Sequence, residues 1–320
     1  MYVIFKNFDI KQTLECGQIF RWEKITDTQY CIYVSNKKLN VDQFDINDAF
    51  ENILEDFKLY YVENMQWYSL KDLHNILNNN FRDYKILKMN CTLKQFQIYW
   101  HNYFDLYTDY TQIKTELSKD EHMRKAIEHG EGIRILRQDK FETIIGFIIS
   151  ANNNINRIQK SMHLIAKNYG SEIKNNYGEK YYAFPTPKQL ANVKIENLKS
   201  KCGVGYRDKY IVQTAKMIAE NKIDLKKISN YEDEQLINEL QKLKGVGVKV
   251  AQCIALFAYG RTSVYPIDVW SKRTFEQLYL GKEITKKEIS EKVTEKFEKY
   301  AGYAQQYLFY YGREQNNSKN

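Results

Sequence analysis

Apolar positions along the chain change period once. From the start to about residue 95, short runs rich in β-branched and aromatic residues, such as Gln29-Tyr-Cys-Ile-Tyr-Val34, alternate with polar turns such as Ser35-Asn-Lys-Lys38. That alternation predicts a small antiparallel sheet with one or two helices. Beyond Trp100 the apolar residues take helical spacing over 141–150, 155–169, 209–220 and 231–243, and this half is expected to be all helical. The Pro-containing stretch 182–188 reads as a connection inside that half, and the polar end 314–320 as a frayed terminus. At 320 residues the chain exceeds the usual single core. The expectation is therefore an α+β protein with a sheet domain over 1–98 and a helical domain over 99–320.

Charge and cysteine usage narrow the class. A net charge of +8 suits a polyanionic partner, although a lysine-rich composition alone favours nucleic acid only weakly. The five cysteines, Cys16, Cys31, Cys91, Cys202 and Cys253, are scattered, with no Cys-x-x-Cys pair and no histidine at zinc spacing. Disulfide frameworks, zinc ribbons and iron–sulfur clusters are not expected. The opening Met1-Tyr-Val-Ile-Phe-Lys6 carries no charged leader with an apolar core, and no apolar stretch reaches the roughly 18 residues that span a bilayer. A cytoplasmic location without membrane association is the expectation.

The segment Leu243-Lys-Gly-Val-Gly-Val-Lys-Val-Ala251 sets two glycines one residue apart between two helical runs, a hairpin expected over 235–260. Gly245 and Gly247 permit a tight reversal and close approach of another backbone. The helix that follows opens with unpaired N–H groups and a positive dipole end, which suits a phosphate. Such a helix-hairpin-helix grips nucleic acid without reading its sequence; an ordinary helical corner has the same string.

Lys249 falls in the first turn of that helix, where the dipole disfavours an ammonium. A nucleophilic lysine must be neutral, and at pH 7.4 an unperturbed one is neutral only about one time in a thousand, so activation is needed. In Tyr265-Pro-Ile-Asp-Val269, Pro266 stiffens the approach to a helix for which Asp268 is the N-cap. One helix and a loop closed by Gly260 separate the two residues, which allows them to converge. A fixed carboxylate would stabilise positive charge developing on a sugar as a glycosidic bond breaks. The same carboxylate would raise the Lys249 pKa against the dipole, and the order of the two effects stays open at this level.

These residues resemble the 8-oxoguanine DNA glycosylases of the helix-hairpin-helix superfamily, through Gly-Val-Gly-Val-Lys-Val-Ala-Gln-Cys at 245–253 and Pro-Ile-Asp-Val at 266–269. Five further blocks follow the family order: Cys16-Gly-Gln-Ile-Phe-Arg-Trp22, Ile135-Leu-Arg-Gln-Asp139, Ser150-Ala-Asn-Asn-Asn-Ile-Asn-Arg157, Gly205-Tyr-Arg207 and Tyr300-Ala-Gly-Tyr-Ala-Gln305. The resemblance implies a TATA-binding-protein-like N-terminal sheet and a helical catalytic part. It also implies double-stranded DNA containing oxidised guanine as partner, and a bifunctional glycosylase and abasic-site lyase acting as a monomer.

Residue by residue, the resemblance makes Lys249 the nucleophile on C1′, forming a Schiff base, with Asp268 in support. The flipped base would lie between Cys253 and Phe309, which by type alone fit plain core packing equally well. The Gly17 carbonyl would accept the N7 hydrogen that distinguishes the oxidised base, and Gln305 would read its amide-like edge. Tyr206 would fill the hole in the duplex, and Asn152, Arg157 and Arg207 would hold the orphaned cytosine. No cofactor is required for catalysis, but the backbone oxygens of Gln241, Leu243 and Val246 would hold a structural cation. Trp270 stands where family members often carry a histidine, and Gln252 where an acid is common. Two rival readings are a monofunctional alkylated-base glycosylase using Asp268 and water, and a hairpin module that only binds DNA.

Overall fold

The computed structural model describes residues 1–46, 58–77, 84–175 and 178–317. The chain forms two compact units. The first comprises Met1–Cys16, Trp22–Ile32 and Leu39–Leu136, and the second Gly17–Arg21, Tyr33–Lys38 and Arg137–Asn320.

A seven-stranded sheet is built from β1 (Tyr2–Lys6), β2 (Trp22–Lys24), β3 (Gln29–Val34), β4 (Lys37–Asp45), β5 (Lys58–Tyr61), β6 (Gln66–Ser69) and β7 (Tyr84–Met89), in the order β2-β3-β4-β7-β1-β5-β6. It departs from a purely antiparallel sheet at one pair: β1 runs parallel to β5, with Val3 opposite Tyr60. A long intervening chain lets two strands far apart in sequence meet in this sense, which a tight hairpin forbids. Ile4, Leu59, Leu73 and Ile86 are fully or almost fully buried in one core cluster, and Ser69 caps the helix Leu70–Ile76 that contributes Leu73.

The first unit continues to Leu136, well past residue 98. Helices between residues 93 and 129 are locally encoded, yet they pack on the strands. Phe104 meets Phe8 edge-on at 5.5 Å, and the Asn7 amide bridges Thr111 and Lys114. Arg134 closes the unit by donating to the carbonyls of Lys6, Asn7 and Asp105. Helical periodicity alone gave no sign of which neighbour these helices would choose.

The second unit is mainly helical. The helix Lys140–Ser150 is buried on every side from Phe141 to Ile149, as its continuous apolar run requires. It packs against the second hairpin helix, Val248–Tyr259, where Phe147 stacks on Phe257 at 5.5 Å. Two details correct the expected all-helical half. A short two-stranded hairpin pairs Glu172–Lys174 with Lys180–Tyr182, its strands too short to register as alternation. Within the stretch expected to fray, the terminal helix Ala301–Asn317 continues from 314 to 317, and 318–320 lie outside the described residues.

Candidate active site

The hairpin has the geometry its glycines demand. The first helix, Asp233–Leu240, leads into a turn in which Gly245 has φ +80° and the Val246 N–H donates to the Leu243 carbonyl at 3.2 Å. Gly247 caps Val248–Tyr259 in extended conformation with no side-chain acceptor, and the space beside it is open. The helix therefore presents its first N–H groups outward, with Val248 exposed beside them. Of the expected cation ligands, the Leu243 oxygen already serves the turn and keeps one lone pair. Three neutral carbonyls of this kind suit only a hard cation.

Lys249 projects from the first turn, half-buried, with its Nζ 5.8 Å from the Phe147 ring centre. Phe147 is held edge-on by Phe20 at 5.4 Å and stacked by Phe257. Nothing in the apolar run 141–150 distinguished this phenylalanine from ordinary core. One turn on, the Lys249 ammonium donates a hydrogen bond to the Cys253 sulfur. The direction left open by the sequence is upward: the ammonium is held above the ordinary lysine value, by the Cys253 sulfur first and the Asp268 carboxylate after it, against burial. Two acidic groups brought close to the amine favour its charged form by more than burial disfavours it. Burial pushes the Cys253 thiol up in turn, so at neutral pH the sulfur keeps its proton.

Asp268 is the N-cap of the helix Val269–Phe275 in a reciprocal capping box. Its carboxylate accepts the Ser271 N–H at 2.7 Å, while the Ser271 hydroxyl accepts the Asp268 N–H at 3.0 Å. The cap fixes the carboxylate where it acts on both Lys249 and Cys253. Tyr265, three residues earlier, is 5 % exposed and its hydroxyl has no partner among the described residues. Burial and then Asp268 push its pKa up. The terminal helix closes on this pair through two glycines. A Cβ on Gly302 would run into Leu256 and the Thr262 and Val264 carbonyls, and one on Gly312 into Thr274. Their absence lets Gln305 and Phe309 share the helix that packs against both the Lys249 and the Asp268 helices.

Gly17 lies in the same unit, at φ +84°, and a Cβ there would sit 3.3 Å from Cε1 of Phe309 and 3.7 Å from Cδ1 of Ile155. The backbone at 17 is thereby laid against the Phe309 ring. Its segment is pinned by Arg21, which pairs with the buried Glu142 at 3.1 Å and donates to the Tyr182 carbonyl at 2.7 Å. Glu142 also accepts the Ser35 N–H at 2.7 Å. Gln305 is 4 % exposed, and its Oε1 has no hydrogen-bond partner among the described residues. A buried amide oxygen with no described partner, one helical turn from the ring that lies on Gly17, suits a polar ligand.

The last group divides. Tyr206 is 57 % exposed on a 3-10 turn, Gly205–Arg207. Asn152 is exposed with φ +48°, and Arg157 is exposed in the first turn of the helix Ile155–Tyr169, with no partner for its guanidinium among the described residues. Arg207 departs from the expectation of a free donor. It is 7 % exposed, and four of its five N–H groups serve the Ala151, Asn152 and Val204 carbonyls. It holds the turn at 151–152 instead of facing outward. Among the described residues no three His, Cys, Asp or Glu side chains are grouped to hold a metal, and no helix is long and apolar enough to cross a membrane.

A glycine hairpin that delivers a lysine next to an N-cap aspartate within one mainly helical unit points to a helix-hairpin-helix glycosylase. Residues 2–144 match the 8-oxoguanine DNA glycosylase N-terminal domain, and residues 145–299 match the HhH-GPD superfamily of base excision DNA repair proteins. A probable N-glycosylase/DNA lyase of Methanothermobacter thermautotrophicus is 31% identical over 229 residues, which cover 66% of this chain and 72% of that protein. An N-glycosylase/DNA lyase of Arabidopsis thaliana is 34% identical over 219 residues, 64% of this chain and 57% of that protein. Among solved structures, the Clostridium acetobutylicum 8-oxoguanine glycosylase/lyase, in complex with double-stranded DNA containing cytosine opposite 8-oxoguanine, superposes with a TM-score of 0.81. It is 34% identical, with coverage of 98% of this chain and 95% of that one. The chain belongs to the 8-oxoguanine DNA glycosylase family, the N-glycosylase/DNA lyases of base excision repair.

Proposed function

We propose that this chain removes 8-oxoguanine from double-stranded DNA, with preference for cytosine opposite the lesion, and then cleaves the strand, Lys249 being the nucleophile. The observation that carries this reading is the juxtaposition of Lys249 with Cys253 and Asp268 at the open end of the hairpin helix. In the free protein Lys249 is an ammonium, so a proton leaves before attack. The Nζ lone pair then bonds to C1′, the C1′–N9 bond breaks, and the departing base takes the bonding pair and a proton. Opening of the C1′–O4′ bond gives the Schiff base. Loss of a C2′ proton then expels the 3′ phosphate by β-elimination. Asp268 stabilises the positive charge that builds on the sugar and nitrogen.

For recognition, the Gly17 carbonyl would accept the N7 hydrogen of the oxidised base, and the unpaired Gln305 oxygen would take a donor from its edge. Phe309 and Cys253 would flank the ring. Tyr206 would enter the duplex, with Asn152 and Arg157 offering donors to the orphaned cytosine, while Arg207 supports them from beneath. The open N–H groups after Gly245 and Gly247 would take a backbone phosphate. A cation on the oxygens of Gln241, Leu243 and Val246 would stiffen that turn and take no part in the chemistry. The enzyme is expected to act as a monomer in the cytoplasm.

Borohydride trapping on an 8-oxoguanine duplex tests the reading. A covalent adduct in the wild type that disappears in Lys249→Gln supports it. Base release without any adduct would instead favour a monofunctional glycosylase, and neither activity would leave a binding module.

A further inference from the structure

Tyr210 sits on the helix Asp208–Ala219 with its side chain pressed on the hairpin: a Cβ on Gly245 would lie 2.9 Å from Cβ, Cγ and Cδ2 of Tyr210. One turn on, at i+4, the Thr214 hydroxyl donates to the Lys244 carbonyl at 2.9 Å. The hairpin turn is thus held through consecutive turns of this one helix. The Tyr210 ring also meets Tyr206 edge-on, with centroids 6.3 Å apart and planes at 85°. Tyr206 is covered in turn by the Arg207 guanidinium at 4.4 Å, and Arg207 grips the carbonyls of Ala151 and Asn152. All of these residues belong to one compact unit.

We propose that Tyr210 is a positioning residue that couples the hairpin turn to the Tyr206 ring, holding the wedge in its aimed orientation before DNA binds. This rests on the reading of Tyr206 as the intercalating side chain. Three observations carry it. The glycine at 245 leaves no Cβ between hairpin and ring, the edge-on contact braces the Tyr206 ring, whose hydroxyl also donates to the Ala151 carbonyl at 3.4 Å, while leaving it 57 % exposed, and neither ring contact uses the Tyr210 hydroxyl. An exposed aromatic with one flank braced has fewer orientations to lose on entering a base stack.

The test separates base extrusion from strand chemistry. Extruding a stacked 8-oxoguanine needs the wedge, whereas a preformed abasic site has no base to unstack. Tyr210→Leu, which keeps apolar bulk on Gly245 but offers no ring edge to Tyr206, is expected to lower single-turnover excision of 8-oxoguanine opposite cytosine by about tenfold or more while leaving cleavage of a preformed abasic duplex within about twofold. Tyr210→Phe, which keeps both ring contacts, retains wild-type excision. Tyr210→Ala, which also removes the bulk on Gly245, should lower excision at least as much as Tyr210→Leu. Equal loss of both activities, or no loss of excision, overturns the proposal. If the wild type itself fails to excise 8-oxoguanine, it is the underlying reading of function that falls.

Discussion

The backbone of Gly17 lies directly against the ring of Phe309, with 3.3 Å between the position of a missing Cβ and Cε1 of the ring. Gly17→Ala would strain a φ of +84°, at a cost of roughly 1–2 kcal/mol for an L-residue in the left-handed region, and would push Phe309 aside. Excision of 8-oxoguanine is expected to fall, while cleavage of a preformed abasic site, which involves no base, persists. Single-turnover assays on the two duplexes check this, and an unchanged excision rate would refute it.

Lys249 titrates above the ordinary lysine value because Cys253 and Asp268 favour its charged form. Its proton is therefore retained until the pH passes that raised value, and the amine fraction grows only as pH rises. Its contribution to stability is full below 10.5 and is lost as pH climbs through the folded-state value. Nitrogen-detected NMR of the lysine side chains should place the Lys249 midpoint above 10.5 in the free protein, and Asp268→Asn should move it down. A wild-type midpoint below that of ordinary lysines contradicts the assignment.

Asp268 has two separable duties. Asp268→Asn keeps an N-cap acceptor but removes the charge, so thermal stability should change little while single-turnover excision drops by roughly 10²–10³. Asp268→Ala should lose the same activity and also about 1 kcal/mol of stability, read from denaturant midpoints. Equal stability of the two variants would mean that the capping box contributes nothing.

Gln305 holds an acceptor that no described residue satisfies. Gln305→Leu removes a buried unpaired group and is expected to stabilise the free protein by about 1 kcal/mol while lowering excision of 8-oxoguanine. Urea denaturation paired with the excision assay gives both numbers. A destabilised variant would show that the amide serves the fold and not a ligand.

The local grammar of the chain was enough for several elements and for the helix starts that carry Lys249 and Asp268. Helix 155–169 and strand 29–34 have the bounds their periodicities predict, Gly260 ends its helix in the left-handed region, and Asp268 caps the next one. Each of these depends on neighbours a few residues away, which is the range that spacing and capping rules describe. The parallel pairing of β1 with β5 and the choice of the helices from 93 to 129 to join the sheet were invisible, because both are decided by partners distant in sequence.

Charge and contact needed the third dimension most. Cys253 stands one turn from Lys249 by helical spacing, but that Asp268 also comes close enough to raise Lys249 followed only from the packing of two helices. Arg207 looked like any donor until the carbonyls of Ala151 and Asn152 closed over it, and Phe147 like any core residue until Lys249 lay above it. Residue types and their order determined which chemistry was available; the packing of helices through Gly302 and Gly312 decided which groups share a site, because desolvation and Coulomb energy depend on separation in space.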